Sequence, residues 1–248
     1  MMLHSYKIAL LGCLFLFGAC SWAEDEVKVG VLDFPPFYEV TPHQAVGGVM
    51  MPEIAKLMAE AGLRYRVDGY PPKRLYRLLA SGGAHFFIGL QHAPEYDGQV
   101  YASPSPLNVI RLQLYRLPTT PALPKVQALA GQSLIVIRGY SYAGTLHKLQ
   151  ELVPAPMVRE AKDHRQALMM LRAGRADYLL DYSLAVNYTL RQMEPPPELA
   201  VMLLSELKLY LLVSKKAPNA QVLIQKLTQA MERLIARGEL DSLRRYNQ

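Results

Sequence analysis

Residues 27–40 read VKVGVLDFPPFYEV, and this stretch decides the fold. Valines alternate with other residues at its start, which predicts a strand with one buried face. Pro35 and Pro36 then end the strand, because each proline fixes φ and removes a backbone N–H donor. Phe37 and Tyr38 follow directly. In open α/β folds ligands bind at this end of a strand, so we expect both rings either in a cleft or as a cap over the core beneath them.

The bulk composition predicts one or two globular domains. The chain has 248 residues, of which 51% are hydrophobic and 19% charged, enough for a sizeable core. Residues 1–23 stand apart, because an apolar run followed by small residues before Glu24 predicts a signal peptide. We therefore expect an exported protein. Residues 17–20, FGAC, leave a second interpretation open, a lipoprotein box in which Cys20 carries a lipid anchor.

Charge and cysteine content exclude several functions. The formal net charge is +6, but no dense basic run with interleaved aromatic residues occurs, so we expect no nucleic-acid partner. Both cysteines, Cys13 and Cys20, lie in the expected signal segment, so the mature domain has no disulfide. The mild positive excess suits an anionic ligand or an anionic membrane surface equally well.

The order of predicted elements repeats once along the chain. The first unit has strands at 27–32, 63–67 and 85–90 and helices at 51–61 and 73–80. The second unit has strands at 133–137, 158–160 and 178–180 and helices at 143–152, 165–173 and 183–192. Strands that alternate with helices in this way predict a parallel sheet covered by helices in each unit.

Extended segments join the two units. Residues 108–117 alternate between apolar and polar side chains, which predicts a half-exposed strand before a proline-rich connector. Residues 199–204 and 207–214 predict two more strands, and residues 220–236 a last helix. Two α/β units joined by extended strands predict a hinged protein with a cleft between two lobes.

Eight short motifs follow one another in a recognisable order. They are Pro35-Pro36-Phe37, Gly48, LASG at 79–82, SPSPL at 103–107, LAGQSL at 129–134, RGYS at 138–141, LRAGRAD at 171–177 and ARGEL at 236–240. This order resembles that of the type 3 periplasmic solute-binding proteins, the amino-acid-binding class that serves ABC importers. The resemblance covers nearly the whole mature chain.

The resemblance implies a two-lobe, periplasmic-binding-protein-like (type II) α/β fold. Each lobe would be a mixed sheet flanked by helices, and two crossing strands would form the hinge. Lobe one would comprise residues 24–115 and 214–248, and lobe two residues 116–213. The implied function is capture of a small polar solute, an amino acid or related organic acid, for an ABC permease, with a membrane receptor as the alternative partner. We expect a monomer without cofactor or metal.

One candidate site lies at residues 139–142, where Ser141 follows a glycine at the predicted start of a helix. Free N–H groups and the positive end of the helix dipole favour an anion there. The resemblance implies that Gly139, Tyr140, Ser141 and Tyr142 hold the carboxylate of the ligand. The alternative is that Ser141 only caps the helix.

Four further residues complete the predicted site. Asp181 follows a strand, and the resemblance implies that it pairs with the ammonium of the ligand; an interlobe salt bridge is the alternative. Phe37 and Tyr38 would form an aromatic wall. Arg74, at a helix start, would clamp an anion or carry a solvated surface charge.

The sequence departs from the resemblance after the third strand. Relatives that bind α-amino acids carry an arginine there that grips the α-carboxylate, whereas residues 91–97 read QHAPEYD and the next arginine is Arg111. The identity of the ligand therefore stays open. His92, Glu95 and Asp97 could supply acid–base groups for a dehydratase-type enzyme on the same fold. They lack a nucleophile and metal-ligand spacing, so we expect a binding protein rather than an enzyme.

Overall fold

The computed structural model describes residues 26–41 and 46–240, so the expected signal segment and Cys20 lie outside the described residues. The strands within these ranges are β1 (Val27–Leu32), β2 (Glu39–Val40), β3 (Val46–Gly47), β4 (Tyr65–Tyr70), β5 (Phe86–Leu90), β6 (Val100–Ala102), β7 (Asn108–Arg116), β8 (Leu134–Ile137), β9 (Val158–Ala161), β10 (Tyr178–Tyr182) and β11 (Ala200–Ser214). The α-helices are α1 (Met51–Ala61), α2 (Pro72–Ser81), α3 (Thr145–Gln150), α4 (His164–Arg172), α5 (Ser183–Leu190) and α6 (Ala220–Ala236). None of these helices is long and apolar enough to cross a membrane.

The first lobe is built around β1. This strand pairs in parallel with β4 on one side and with β5 on the other. Its alternating Val27, Val29 and Val31 are buried, as the sequence pattern predicts. Helix α1 has Ile54, Leu57 and Met58 on its buried face and packs against α6, and helix α2 packs against β1.

The second lobe repeats this design around β8. Strand β8 pairs in parallel with β9 and with β10, and helices α4 and α5 pack against the sheet. The turn before β10 is held by Asp177, whose carboxylate accepts hydrogen bonds from the backbone N–H and the hydroxyl of Ser133. Asp177 therefore stabilises the turn.

Two long antiparallel strands connect the lobes. Strand β7 pairs with β11 from Asn108–Leu209 to Arg116–Ala200. The rest of β11 pairs with β5 and β6 of the first lobe, while β7 pairs with β10 of the second. The sequence predicts two strands at 199–204 and 207–214, but the structure has one, because a register shift between Leu203 and Ser205 lets the pairing continue. Each lobe thus has a mixed sheet flanked by helices, and the predicted two-lobe fold is confirmed.

We expect Gly48→Ala to destabilise the protein by about 2–3 kcal/mol, because this glycine supports the loop after β1. Its φ is 101°, and an added Cβ would overlap the Phe37 carbonyl oxygen and lie 2.8 Å from Tyr38 Cα. The free energy of unfolding from denaturant titration measures the loss.

Gly62→Ala is the matched control, since Gly62 has φ 68° but no atom within 4 Å of an added Cβ. It carries the conformational cost alone, about 1 kcal/mol. Equal losses in the two variants would contradict close packing of Gly48 against the loop.

Candidate functional site

A cavity of about 680 Å³ lies between the two lobes. Its volume falls within the range of roughly 300–1,000 Å³ typical of small-molecule sites. The carboxyl ends of β1, β4, β5, β8 and β10 all reach its wall, and β7 and β11 contribute Ile110, Leu207 and Leu209. Both lobes and both crossing strands therefore enclose one space, at the sheet edge where α/β folds bind ligands.

The wall of this cavity is rich in aromatic rings. Eight of the 24 residues that line it are aromatic, whereas aromatic residues make up 9% of the chain. These rings are Phe34, Phe37, Tyr38, Tyr76, Phe87, Tyr140, Tyr142 and Tyr182. Most of the other lining residues are aliphatic, so the interior of the cavity is predominantly apolar.

Ring contacts join the two lobes at one side of the cavity. Phe34 in the loop after β1 stacks on Phe37 with centroids 4.9 Å apart. On the opposite lobe it meets Tyr140 at 5.2 Å and Tyr182 at 5.3 Å. Sequence reasoning missed Phe34 and Tyr182 as wall residues. Both stand directly beside residues that it singled out, Phe34 within the opening stretch and Tyr182 next to Asp181.

Charged side chains occupy only the mouth of the cavity. Among the lining residues these are Asp33, Lys73 and Glu95, and all three are exposed. Deeper in the wall, burial raises the pKa of Tyr38 and of Tyr140 well above that of free tyrosine, so both phenols are neutral near pH 7. The interior is therefore uncharged, and the mouth carries both signs.

Six of the eight predicted site residues lie on the cavity wall, namely Phe37, Tyr38, Gly139, Tyr140, Ser141 and Tyr142. The prediction that Ser141 lies at a helix start is wrong, because α3 begins only at Thr145. Tyr142 and Ala143 adopt left-handed backbone angles, φ 52° and 54°, which a helix does not allow.

The side chain of Tyr142 explains this departure from the predicted helix. Its ring is 1% exposed, and its hydroxyl accepts a hydrogen bond from the Ile137 N–H at 2.7 Å. Burial of the ring thus keeps the residues between β8 and α3 in a loop instead of a helix. No described residue accepts a hydrogen bond from the backbone N–H of Ser141 or Ala143. The loop therefore offers neutral backbone donors at the wall, without a helix dipole behind them.

Arg74 does not line the cavity. Its side chain is exposed, and the guanidinium lies over the ring of Tyr70, 5.4 Å from the centroid. The neighbouring Lys73 is the cation at the mouth instead. One residue further along helix α2 turns a side chain by about 100°, so adjacent positions face different surroundings.

Asp181 lies beneath the cavity wall and is fully buried. One carboxylate oxygen is 2.7 Å from Nδ1 of His164, and the other accepts the backbone N–H of Tyr182 at 2.8 Å. The opposite nitrogen of His164, Nε2, is 3.1 Å from the carbonyl oxygen of Pro35 in the first lobe. Asp181 thus supports an interlobe contact through His164, close to the alternative role that the sequence left open.

The two partners of His164 determine its protonation state. A carboxylate and a carbonyl oxygen both accept, so both bonds form only when both ring nitrogens carry a proton. Burial opposes the charged form, but the Asp181 carboxylate and the Pro35 carbonyl outweigh it, with Asp163 adding to the effect. The pKa of His164 is therefore raised above its ordinary value.

The candidate acid–base residues do not gather at the cavity. His92 Nδ1 lies 2.9 Å from an oxygen of Asp97, and both side chains are well exposed. Neither residue belongs to the cavity wall, whereas Glu95 lies at its mouth. His92, Glu95 and Asp97 therefore do not come together as an acid–base pair at the cavity wall.

Similar solved structures share this two-lobe architecture. A histidine kinase sensor domain with similarity to periplasmic binding proteins has a TM-score of 0.66 at 15% identity, covering 90% of this chain and 96% of that one. The fold is that of the periplasmic solute-binding proteins. An ancestral cationic amino acid solute-binding protein has a TM-score of 0.68 at 16% identity, covering 90% and 96%. The substrate-binding protein of an amino acid ABC transporter has a TM-score of 0.60 at 16% identity, covering 88% and 96%. No family model and no curated protein matches this sequence.

We expect the free energy of unfolding to carry a pH-dependent contribution from His164. Because the folded-state pKa is raised, this contribution is complete below the ordinary histidine pKa of about 6.5 and is lost as pH rises through the folded-state value. His164→Gln should cost about 3 kcal/mol at pH 5.5 and clearly less at pH 8.5, as measured by denaturant titration at both pH values.

His92→Gln is the control for this experiment, since His92 is exposed and pairs only with Asp97. It should change stability by less than about 0.5 kcal/mol at either pH. A loss in His164→Gln that is the same at both pH values would show that folding does not raise the pKa of the imidazole.

Proposed function

We propose that this protein is an exported solute-binding protein of the type 3 class, which captures a small organic solute and delivers it to an ABC-type importer. The observation that carries this proposal is the cavity of about 680 Å³ enclosed by both lobes at the carboxyl ends of their strands. The likeness of the fold to substrate-binding proteins of amino acid transporters supports it.

Capture would proceed by closure of the two lobes about β7 and β11. We propose lobe one as residues 24–115 with 214–248, and lobe two as residues 116–213. The solute binds one lobe first, and the other lobe then closes over it and excludes water. The contacts of Phe34 with Tyr140 and of His164 with Pro35 would hold the closed arrangement. A membrane partner would recognise the surface that closure creates.

An amino acid or a related small organic acid is the proposed solute. The free backbone N–H groups of Ser141 and Ala143 suit a carboxylate. Lys73, the cation at the mouth, suits it as well. No arginine is among the described residues that line the cavity, so the acid would be held without a bidentate clamp. Asp181 is already paired with His164, so an ammonium group would find its carboxylates at the mouth.

A sensor role is the second candidate. The fold is shared with a histidine kinase sensor domain as well as with transport proteins, and the same closure would serve a receptor. An enzyme on this fold has less support, because His92 and Asp97 lie outside the cavity wall.

We expect saturable binding without turnover in a thermal-shift screen of amino acids, organic acids and polyamines. A solute at 100 times its Kd should raise Tm by on the order of 5–10 °C. Phe34→Ala should abolish the shift, because it removes a ring from the wall and the contacts between the lobes.

Tyr101→Ala is the control, since Tyr101 lies on β6 and is not part of the cavity wall. It should retain the full shift at a lower baseline Tm. The proposal fails if no compound of the three classes raises Tm, or if mass spectrometry shows that a bound compound is converted to product.

A further inference from the structure

The cavity separates its rings from its charges. The rings of Phe34, Phe37, Tyr140 and Tyr182 form a continuous patch that extends across both lobes, with neighbouring centroids 4.9 to 5.3 Å apart. These spacings are those of favourable offset and edge-to-face contacts between aromatic rings. A further ring inserted beside this patch finds faces and edges on both lobes, so closure would bury it on two sides.

The charges at the mouth cannot impose a strict choice of head group. Asp33, Lys73 and Glu95 are all exposed, and Asp33 already accepts the backbone N–H of Val40 at 3.1 Å. Ion pairs between exposed groups change affinity by roughly fivefold or less. Burial of a six-membered ring changes it by on the order of a hundredfold. The apolar contribution is therefore the larger of the two.

The one carboxylate directly behind the ring patch is unavailable to a ligand. Asp181 is fully buried, with one oxygen occupied by His164 and the other by the Tyr182 N–H. Because the Asp181 side chain has no exposed surface, an α-ammonium group in the cavity does not meet it. A zwitterionic head would thus lie at the mouth, where both signs of charge are solvated and the exposed residues Ser141 and Ala143 carry the free N–H groups.

We infer that the cavity selects a solute by its aromatic ring. The charged head group of the solute stays at the mouth and contributes little to the affinity. The ligand class is a small aromatic acid, amine or amino acid in which the ring is required and the complete α-amino acid head is not. This inference rests on the proposed function and names the solute class of the same site.

Calorimetric titration with matched compounds tests this selection. L-Phenylalanine, phenylacetate and phenethylamine share one ring and carry zwitterionic, anionic and cationic heads, whereas L-alanine has the head without the ring. We expect the three ring compounds to bind within about tenfold of one another. L-Alanine should bind at least about 100-fold more weakly than L-phenylalanine.

Two variants divide the effect between the ring patch and the mouth. Tyr140→Leu keeps an apolar side chain but removes a ring from the patch, and it should weaken all three ring compounds about tenfold. Lys73→Gln removes the cation at the mouth and should change each affinity by less than about fivefold. Unfolding curves establish that both variants are folded.

Three results would overturn the inference. The inference is wrong if L-alanine, L-glutamine or L-arginine binds as tightly as L-phenylalanine. It is also wrong if L-phenylalanine binds while phenylacetate and phenethylamine do not, or if none of the three ring compounds binds. If a compound from the wider thermal-shift screen still binds saturably, only the aromatic selection fails. If no compound in either experiment binds, the proposed function fails with it.

Discussion

The antiparallel pairing of β7 and β11 is the constraint on which the rest of the structure depends. Its ladder runs from Asn108–Leu209 to Arg116–Ala200, and the same two strands pair with β5, β6 and β10. The lobes are therefore extensions of one hydrogen-bonded ladder. Because a ladder twists and bends more easily than it stretches, the proposed closure would change the angle between the lobes while the strand ends keep facing the same gap.

This arrangement explains why the site can be neutral inside and charged outside. The strand ends bring apolar residues and rings from both lobes into one enclosed space, where an unpaired charge would lose its hydration at high cost. The charged Asp33, Lys73 and Glu95 stay where water reaches them. The buried carboxylate of Asp181 is paired with His164 instead of being offered to a ligand. The buried charged pair of Asp181 and His164 thus mainly stabilises contacts within the protein.

Local patterns predict much of the fold and part of the site. Alternating valines place β1, and the periodic apolar residues of α1 and α4 place these helices within one or two residues. The position of the 139–142 loop can be predicted from the strand before it, but the backbone conformation of the loop cannot. The left-handed angles of Tyr142 depend on burial of its ring, which no neighbouring residue signals. The contact between His164 and Pro35 joins residues 129 positions apart, so only the folded chain reveals it.

The position of His164 between two oxygen acceptors would make a proton a second ligand of the proposed closed arrangement. Thermodynamic linkage then requires reciprocity between this proton and the solute. If closure brings the Pro35 carbonyl to the imidazole, solute capture takes up a fraction of a proton from the medium, and acidification tightens capture by the same coupling. If the protein is exported, as we propose, it meets the pH of the environment directly, and that pH would bias the hinge before any solute binds.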